Sequence, residues 1–155
     1  GTSWSFSGIG LTYELRTKPD AFVQLGAQME MGEMFLGRSQ YPGASASFTW
    51  NNIFRTLESR NGNSIYLFAG AGASAGYSND FRLKKKQQTY YGGFFGLKGR
   101  AGVTIIYDRD INITAAVAPI LGMHLCPKNG TIIMRYYRYG LLQTLMPEIT
   151  ISYRF

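Results

Sequence analysis

The feature that most constrains this chain is a regular alternation of two kinds of side chain over long stretches. Between residues 65 and 77 the odd positions carry Ile, Leu, Ala and Tyr, while the even positions carry Tyr, Phe, Gly and Ser. A period of two indicates β-strands, because successive side chains of a strand point to opposite faces of its sheet. Strands of soluble proteins usually end after about five or six residues, whereas a tilted strand that crosses a bilayer needs about 9–11. The alternation therefore predicts strands long enough to span a membrane.

Seven runs of this kind follow one another along the chain, whose 155 residues are a length typical of one domain. The third run changes phase near Asn52 and Ile53, and we interpret this slip as a β-bulge. The runs lie near residues 6–16, 23–31, 46–53, 65–77, 95–107, 111–123 and 148–155.

The connections between the runs are alternately short and long. Short turns are expected near residues 17–20, 58–63 and 108–110, and longer loops near 33–43, 78–90 and 125–141. Short periplasmic turns and longer outer loops are typical of bacterial outer-membrane barrels, which have an even number of strands and at least about eight. One more strand should therefore precede the first run. Either residues 1–7 form it or it lies upstream of Gly1, and the sequence leaves both alternatives open.

Composition agrees with strands whose two faces meet different surroundings. Charged residues make up 16% of the chain, against about 25% in an ordinary soluble domain. No apolar run approaches the roughly 20 residues of a transmembrane helix, and a barrel needs apolar residues only at every second position. We predict an all-β fold, an antiparallel up-and-down transmembrane β-barrel of eight strands that occupies residues 1–155 as a single domain.

The two predicted faces differ in a way that suits lipid outside and a polar lumen inside. The apolar face often ends in an aromatic residue, such as Tyr13, Tyr77 or Tyr107, as in the aromatic girdles of membrane barrels. The opposite face carries charges of both signs, which can form ion pairs in the lumen, because burying unpaired charge is prohibitive. The alternative is a soluble β-barrel or sandwich binding module with this face in water. The predicted polar network of the lumen comprises Glu14, Arg16, Glu30, Lys98, Arg100, Glu148 and Arg154.

Two predicted loops combine basic residues with tyrosines. Such surfaces suit lipopolysaccharide phosphates, a partner protein or nucleic acid, and each cation–π contact contributes about 0.5–2 kcal/mol. The formal charge of +7 fits any of these anionic partners, but nucleic acid is disfavoured because no recognition element accompanies the charge. Solvated loops without a partner are the alternative. The candidate contact residues are Lys84, Lys85, Lys86, Arg135, Tyr136, Tyr137, Arg138 and Tyr139.

The end of the chain alternates apolar and polar residues up to a terminal phenylalanine. Ile149, Ile151, Tyr153 and Phe155 alternate with Glu148, Thr150, Ser152 and Arg154. This ending resembles the C-terminal insertion signal of bacterial outer-membrane proteins, which the barrel-assembly machinery reads in that class. The layout of nearly the whole chain is similar to small OmpX/OmpA-type barrels. These resemblances imply a location in the outer membrane of a Gram-negative bacterium.

A narrower resemblance concerns the centre of the chain. The small-residue stretch from Ala69 to Tyr77, the polar loop after it, the residues Tyr91-Gly-Gly93 and the Asp108-Arg109 turn resemble the conjugal-transfer outer-membrane protein TraO family of Bacteroidetes. That resemblance implies a component of a conjugation apparatus.

Few residues suggest chemistry. Cys126 is the only cysteine, so no internal disulfide is possible, and we interpret it as a loop thiol without a function. His124 is the only histidine, and a single Cys with a single His supplies too few ligands for zinc. Glu14, Glu30 and Glu148 are better explained as lumen ion pairs than as acid–base catalysts. We therefore expect no catalytic residue, no metal and no cofactor.

These observations favour a non-enzymatic structural barrel that anchors extracellular loops for a partner complex in secretion, assembly or conjugation. Its expected partners are outer-membrane lipid, lipopolysaccharide, other outer-membrane or periplasmic proteins and, during insertion, the barrel-assembly machinery. The alternative is an enzyme that modifies outer-leaflet lipid through His124. Small barrels related to lipid A deacylases pair a His with a Ser in a motif that the neighbours of His124 do not match.

Overall fold

The computed structural model describes residues 1–5, 8–31, 41–58, 63–79, 91–107, 110–128, 130–136 and 147–153. Within these ranges the ordered elements are strands, and their lengths reach 17 residues in β6. The strands are β1 (Thr2–Ser5), β2 (Gly8–Lys18), β3 (Ala21–Glu30), β4 (Gly43–Glu58), β5 (Ser64–Asn79), β6 (Tyr91–Tyr107), β7 (Ile111–Val117), β8 (Ile120–Lys128), β9 (Thr131–Tyr136) and β10 (Pro147–Tyr153). Within the described ranges, no helix has the length and apolar character needed to cross a membrane.

Eight strands close into an antiparallel ring. Strands β1 to β7 pair in sequence order, β7 pairs with β10, and β10 pairs with β1. The predicted fold class is therefore confirmed, and an open sheet or a sandwich is excluded because the ring has no free edge. The strand missing from the sequence prediction is β1, which pairs with both β2 and β10. The ring is thus complete within residues 2–153.

The connections β2–β3, β4–β5 and β6–β7 lie at one end of the ring, called here the turn end, and the opposite end is called the loop end. The first turn is tighter than expected, since Thr17 and Lys18 belong to β2 and only Pro19 and Asp20 form the turn. The predicted bulge in β4 is confirmed by a register shift between Ile53 and Arg55. Most of the other predicted turns and loops lie outside the described residues.

The strands β8 and β9 form a hairpin outside the ring. β8 continues β7 along β6 in the same register, with Val117 opposite Ala101 and Ile120 opposite Lys98. Pro119 separates the two strands because it has no backbone N–H to donate, yet its carbonyl still accepts from the Gly99 N–H at 2.7 Å.

A tight turn at Gly130, which has a positive φ of 78°, connects β8 to β9. Glycine suits this position because it has no Cβ to clash in the left-handed region. The segment 125–141 is expected to be a loop that can extend its flanking strands, and residues 125–128 do extend the strand before them, whereas the expectation of a loop is wrong for residues 131–136, which form β9. The apolar pattern of these strands is interrupted by Pro127 and the turn, which obscured their period.

The ring places apolar side chains on its outer face and polar side chains inside, which is the reverse of a soluble protein. Leu67, Val117 and Ile151 point outward with exposed fractions of 43%, 40% and 39%, although a soluble domain buries such residues. The interior is lined instead by polar side chains such as Thr49 and Thr150, which are 1% and 0% exposed. The alternation seen in the sequence is therefore the alternation between an apolar outer face and a polar lumen.

Glycine at position 72 allows close contact between β4 and β5. A Cβ at Gly72 would lie 1.8 Å from the carbonyl oxygen of Phe48, so an alanine would push the strands apart. We expect Gly72→Ala to lower the free energy of unfolding by about 1–3 kcal/mol, measured from urea midpoints in detergent micelles. Gly93→Ala is the matched control, since its nearest neighbour would be 3.8 Å away. Equal midpoints for the two variants would contradict the close contact.

Candidate functional site

The middle of the lumen holds four charged side chains from three strands. We call Glu14 on β2, Lys98 and Arg100 on β6, and Glu148 on β10 the charged quartet. The Arg100 Nη2 lies 3.4 Å from Glu148 Oε1, and the Arg100 Nη1 lies 3.9 Å from Glu14 Oε1. The Lys98 Nζ is 3.6 Å from Glu148 Oε2. The two positive and two negative charges cancel, which lowers the cost of placing them inside the barrel.

Neutral groups complete the surroundings of the charged quartet. Gln24 Nε2 donates to Glu14 Oε1 at 3.1 Å, and Thr150 Oγ1 donates to Glu148 Oε1 at 3.4 Å. Lys98 Nζ donates to Ser47 Oγ at 3.3 Å. These bonds connect β2, β3, β4, β6 and β10 across the lumen, so the charged quartet ties together opposite sides of the ring.

Arg100 is the central residue of the charged quartet. Its side chain has an exposed fraction of 0%, and its guanidinium carbon lies 4.8 Å from the centre of the Phe68 ring. Among the described residues, its nitrogens make ion contacts but no hydrogen bond. Its charge is therefore balanced by the ion contacts with Glu14 and Glu148.

An aromatic plug closes the lumen between the charged quartet and the turn end. The rings of Phe22, Tyr66 and Phe68 contact each other edge-on or tilted, with centroid distances of 5.3–6.2 Å. Ala116, Ile53 and Ile106 pack against them. A cavity of about 100 Å³ remains beside this plug and is lined also by Glu14, Arg16 and Asn112, which is room for a few waters. Arg100 and the plug therefore occupy the lumen at adjacent levels.

The structure brings four of the predicted lumen residues together and separates the others. Arg16 is exposed near the turn end, where its Nη2 donates to the Pro19 carbonyl at 2.7 Å instead of joining the charged quartet. Glu30 lies near the loop end and accepts a hydrogen bond from Ser45 Oγ at 2.7 Å. Arg154 lies outside the described residues.

Most of the predicted loop contacts fall outside the described residues, namely Lys84, Lys85, Lys86, Tyr137, Arg138 and Tyr139. The backbone of Arg135 belongs to β9 and lies opposite His124. Tyr136 ends β9 with an exposed fraction of 73%.

The residues of the predicted insertion signal line the outer face of β10. Ile149, Ile151 and Tyr153 have exposed fractions of 46%, 39% and 58%. Phe155 lies outside the described residues. The described part of the ending therefore presents an apolar row to the surroundings of the barrel.

A pair of residues near the loop end escaped the sequence analysis. Cys126 Sγ lies 2.8 Å from His124 Nδ1, and His124 Nε2 lies 3.1 Å from the carbonyl oxygen of Ser78. Both side chains are 1% exposed, so the interpretation of Cys126 as a loop thiol is wrong. The sequence did carry a signal for this pair. Residues two apart in a strand share a face, and the alternation places His124 on the lumen face.

No metal centre is formed by the parts of the chain that the structure describes, in which no three His, Cys, Asp or Glu side chains come together. Comparisons of the chain with protein-family models, curated proteins and solved structures find no match.

We expect Arg100→Met to lower the free energy of unfolding by about 3–5 kcal/mol, because it leaves two buried carboxylates with one cation. Adding Glu14→Gln removes one of these carboxylates and should recover part of the loss. Urea unfolding in detergent micelles measures both variants. Arg16→Met, at an exposed cation of β2, should change stability by less than about 1 kcal/mol. A double variant no more stable than Arg100→Met would show that the charges are not coupled.

Proposed function

We propose that this chain is a non-enzymatic structural barrel of a Gram-negative outer membrane that anchors surface elements at its loop end for a partner complex. The observation that carries the proposal is the inverted barrel, with an apolar outer face and a charged lumen.

The outer face supports a membrane location. Leu11, Leu97 and Leu121 have exposed fractions of 67%, 73% and 58%, and they belong to different strands of the sheet. Soluble monomers rarely expose apolar patches larger than a few hundred Å², because each Å² of apolar surface in water costs about 25 cal/mol. A hydrocarbon environment removes this cost.

A groove on the outer face fits the same environment. Its floor is formed by Ala73 and Ala75 of β5, and Phe48 and Phe95 of the adjacent strands flank it. The groove has a volume of about 720 Å³ and an almost entirely apolar lining. Acyl chains would fill such a groove without leaving polar groups unpaired.

Tyrosines at both ends of the barrel agree with two membrane interfaces. At the turn end, Tyr107 and Tyr153 both lie opposite Ile111 in the register and point outward. Towards the loop end, Tyr77 stacks on Tyr91 with a centroid distance of 5.9 Å. Membrane barrels carry aromatic girdles at these two levels.

The lumen and the hairpin support an anchoring role rather than transport. A ring of eight strands has an interior that side chains just fill, and here the charged quartet and the aromatic plug fill it. The β8–β9 hairpin extends beyond the ring and carries the exposed apolar residues Ile132, Met134 and Tyr136. These residues offer a contact surface to another outer-membrane or periplasmic protein, as in the conjugation apparatus that the TraO resemblance implies.

The alternative of an outer-leaflet lipid-modifying enzyme gains no support from the site. Such an enzyme would need His124 in contact with lipid, and His124 is buried on the lumen side. We therefore propose one function only.

The membrane location predicts a depth-dependent cost of charge on the outer face. We expect Leu97→Arg, in the long strand β6, to destabilise the barrel in lipid vesicles by about 2–4 kcal/mol, and Leu57→Arg, near the end of β4, by about 0–1 kcal/mol. Both leucines are exposed, at 73% and 53%. Urea unfolding monitored by heat-modifiable gel mobility measures the difference. If both variants are as stable as the parent and the chain stays in the aqueous fraction without detergent, the membrane proposal fails.

The anchoring role predicts a complex that depends on the hairpin. On blue-native gels of gently solubilised membranes, we expect the chain to migrate above its monomer mass together with a partner. Replacing Ile132, Met134 and Tyr136 by serine should return it to the monomer, since these side chains are 61–73% exposed. The matched control replaces Tyr107, Tyr153 and Ile111 at the turn end by serine. This variant should still migrate with the partner above the monomer mass. A parent chain that migrates as a free monomer would rule out the anchoring role.

A further inference from the structure

The strand β9 (Thr131–Tyr136) forms an edge of the sheet at the loop end. Within the ring, β10 lies beside β7 and pairs in turn with β1. β9 lies on the same side of β8, and among the described strands it pairs with β8 alone. Its outer edge therefore presents backbone N–H and C=O groups with which a further strand can pair.

The register identifies the backbone groups at this outer edge. The Gly99 N–H donates to the Pro119 carbonyl at 2.7 Å, so these residues form a hydrogen-bonded pair of the antiparallel ladder, in which such pairs alternate with pairs that are not hydrogen-bonded. The odd-numbered residues of β8 therefore bond to β6, and the even-numbered residues bond to β9. Because Cys126 lies opposite Ile133, residues 131, 133 and 135 bond to β8. The N–H and C=O groups of residues 132, 134 and 136 point to the outer edge.

The position of Pro127 agrees with this assignment. Pro127 has no N–H to donate, and it lies opposite Ile132. The alternation leaves this pair without hydrogen bonds between β8 and β9. The proline therefore costs the hairpin no bond, and the hairpin forms without using the outer backbone groups of β9.

The outer edge of β9 is accessible and carries none of the usual protection. Ile132, Met134 and Tyr136, whose backbone groups point to it, have exposed fractions of 61–73% as whole residues, so this row is largely uncovered. Natural edge strands are commonly protected by charges, prolines or bulges. None of these three residues is charged or a proline, and the register between β8 and β9 runs without a shift.

We propose that the partner protein binds by strand addition, with an extended segment of the partner paired to the outer edge of β9. This inference rests on the proposed function, because it names how the partner contacts the β8–β9 hairpin. Main-chain hydrogen bonds to residues 132, 134 and 136 hold the segment, as in other complexes formed at a sheet edge. Partner residues opposite Ile132, Met134 and Tyr136 share their face of the sheet, so the segment carries apolar side chains at alternate positions.

Amide hydrogen exchange resolved by residue tests this inference on the unmodified chain. In the purified chain in micelles, we expect fast exchange at residues 132, 134 and 136 and slow exchange at residues 133 and 135. In the complex isolated from gently solubilised membranes, exchange at the first three should slow by at least about tenfold as their N–H groups gain acceptors.

The outcomes separate this inference from the proposed function. Slow exchange at residues 132, 134 and 136 in the purified chain would show that the edge is already covered, and strand addition would be wrong. Fast exchange that persists in the complex would also overturn it, while the complex itself would still support the anchoring role. If no complex forms, both proposals fail.

Two variants at one position separate the backbone from the side chain. Met134→Ser removes the side chain and keeps the N–H, whereas Met134→Pro also removes the N–H, at an edge position where proline is tolerated. On blue-native gels we expect Met134→Pro to lower the fraction of chain in the complex at least about fivefold below that of Met134→Ser, because a partner carbonyl loses its donor. Slow exchange at Ile133 in both variants would show that the hairpin persists. Equal fractions for the two variants would count against main-chain pairing.

Discussion

The fold depends on the closure of the sheet by β1, a strand of only four residues. It pairs with β2 along one side and with β10 along the other. Without it, both neighbours would be free sheet edges that expose a row of unpaired backbone N–H and C=O groups. The Thr12 N–H, which donates to the Gly1 carbonyl at 2.8 Å, and the Gly1 amino group, which donates to the Thr12 carbonyl at 2.6 Å, extend this contact by one residue. Every later feature, including the lumen, requires this closure.

Once the ring is closed, the lumen is filled by the side chains at the inward-facing positions of the strands. The charged quartet fills its middle with paired charges, and the aromatic plug fills the turn end. Thr104 and Thr114 add a buried hydroxyl pair, 2.8 Å apart, between β6 and β7. These polar contacts hold the barrel together from within, in the place where a soluble protein would have an apolar core.

The sequence predicted the parts of the fold in which alternation is uninterrupted. In β5 and β6 the alternation with a period of two is uninterrupted. The structure extends the predicted strand of β5 by one residue before residue 65 and by two residues after residue 77. The sequence also predicted that Glu14, Arg100 and Glu148 share the lumen, because each lies on the polar face of its predicted strand.

The parts that escaped prediction are those in which one residue hides the pattern. The predicted run 111–123 passes through Pro119, where the structure divides it into β7 and β8 although the register with β6 continues, and Pro127 hid the end of β8. Phe22 is buried in the aromatic plug beside the register shift between Arg16 and Lys18, where phase gives no guidance. The distance between Cys126 and His124 depends on side-chain rotamers, which a pattern of residue types does not specify.

The sharing of β6 between the ring and the hairpin has a mechanical consequence. The first half of β6 pairs with β8 and the second half with β7, and Lys98 and Arg100 lie where these halves meet. A tensile load applied to the hairpin would pass along β6 into the ion pairs of the lumen. At the same level, Pro119 supplies no N–H to β6, so the backbone hydrogen bonding between the hairpin and the ring is reduced there to the bond from the Gly99 N–H to the Pro119 carbonyl.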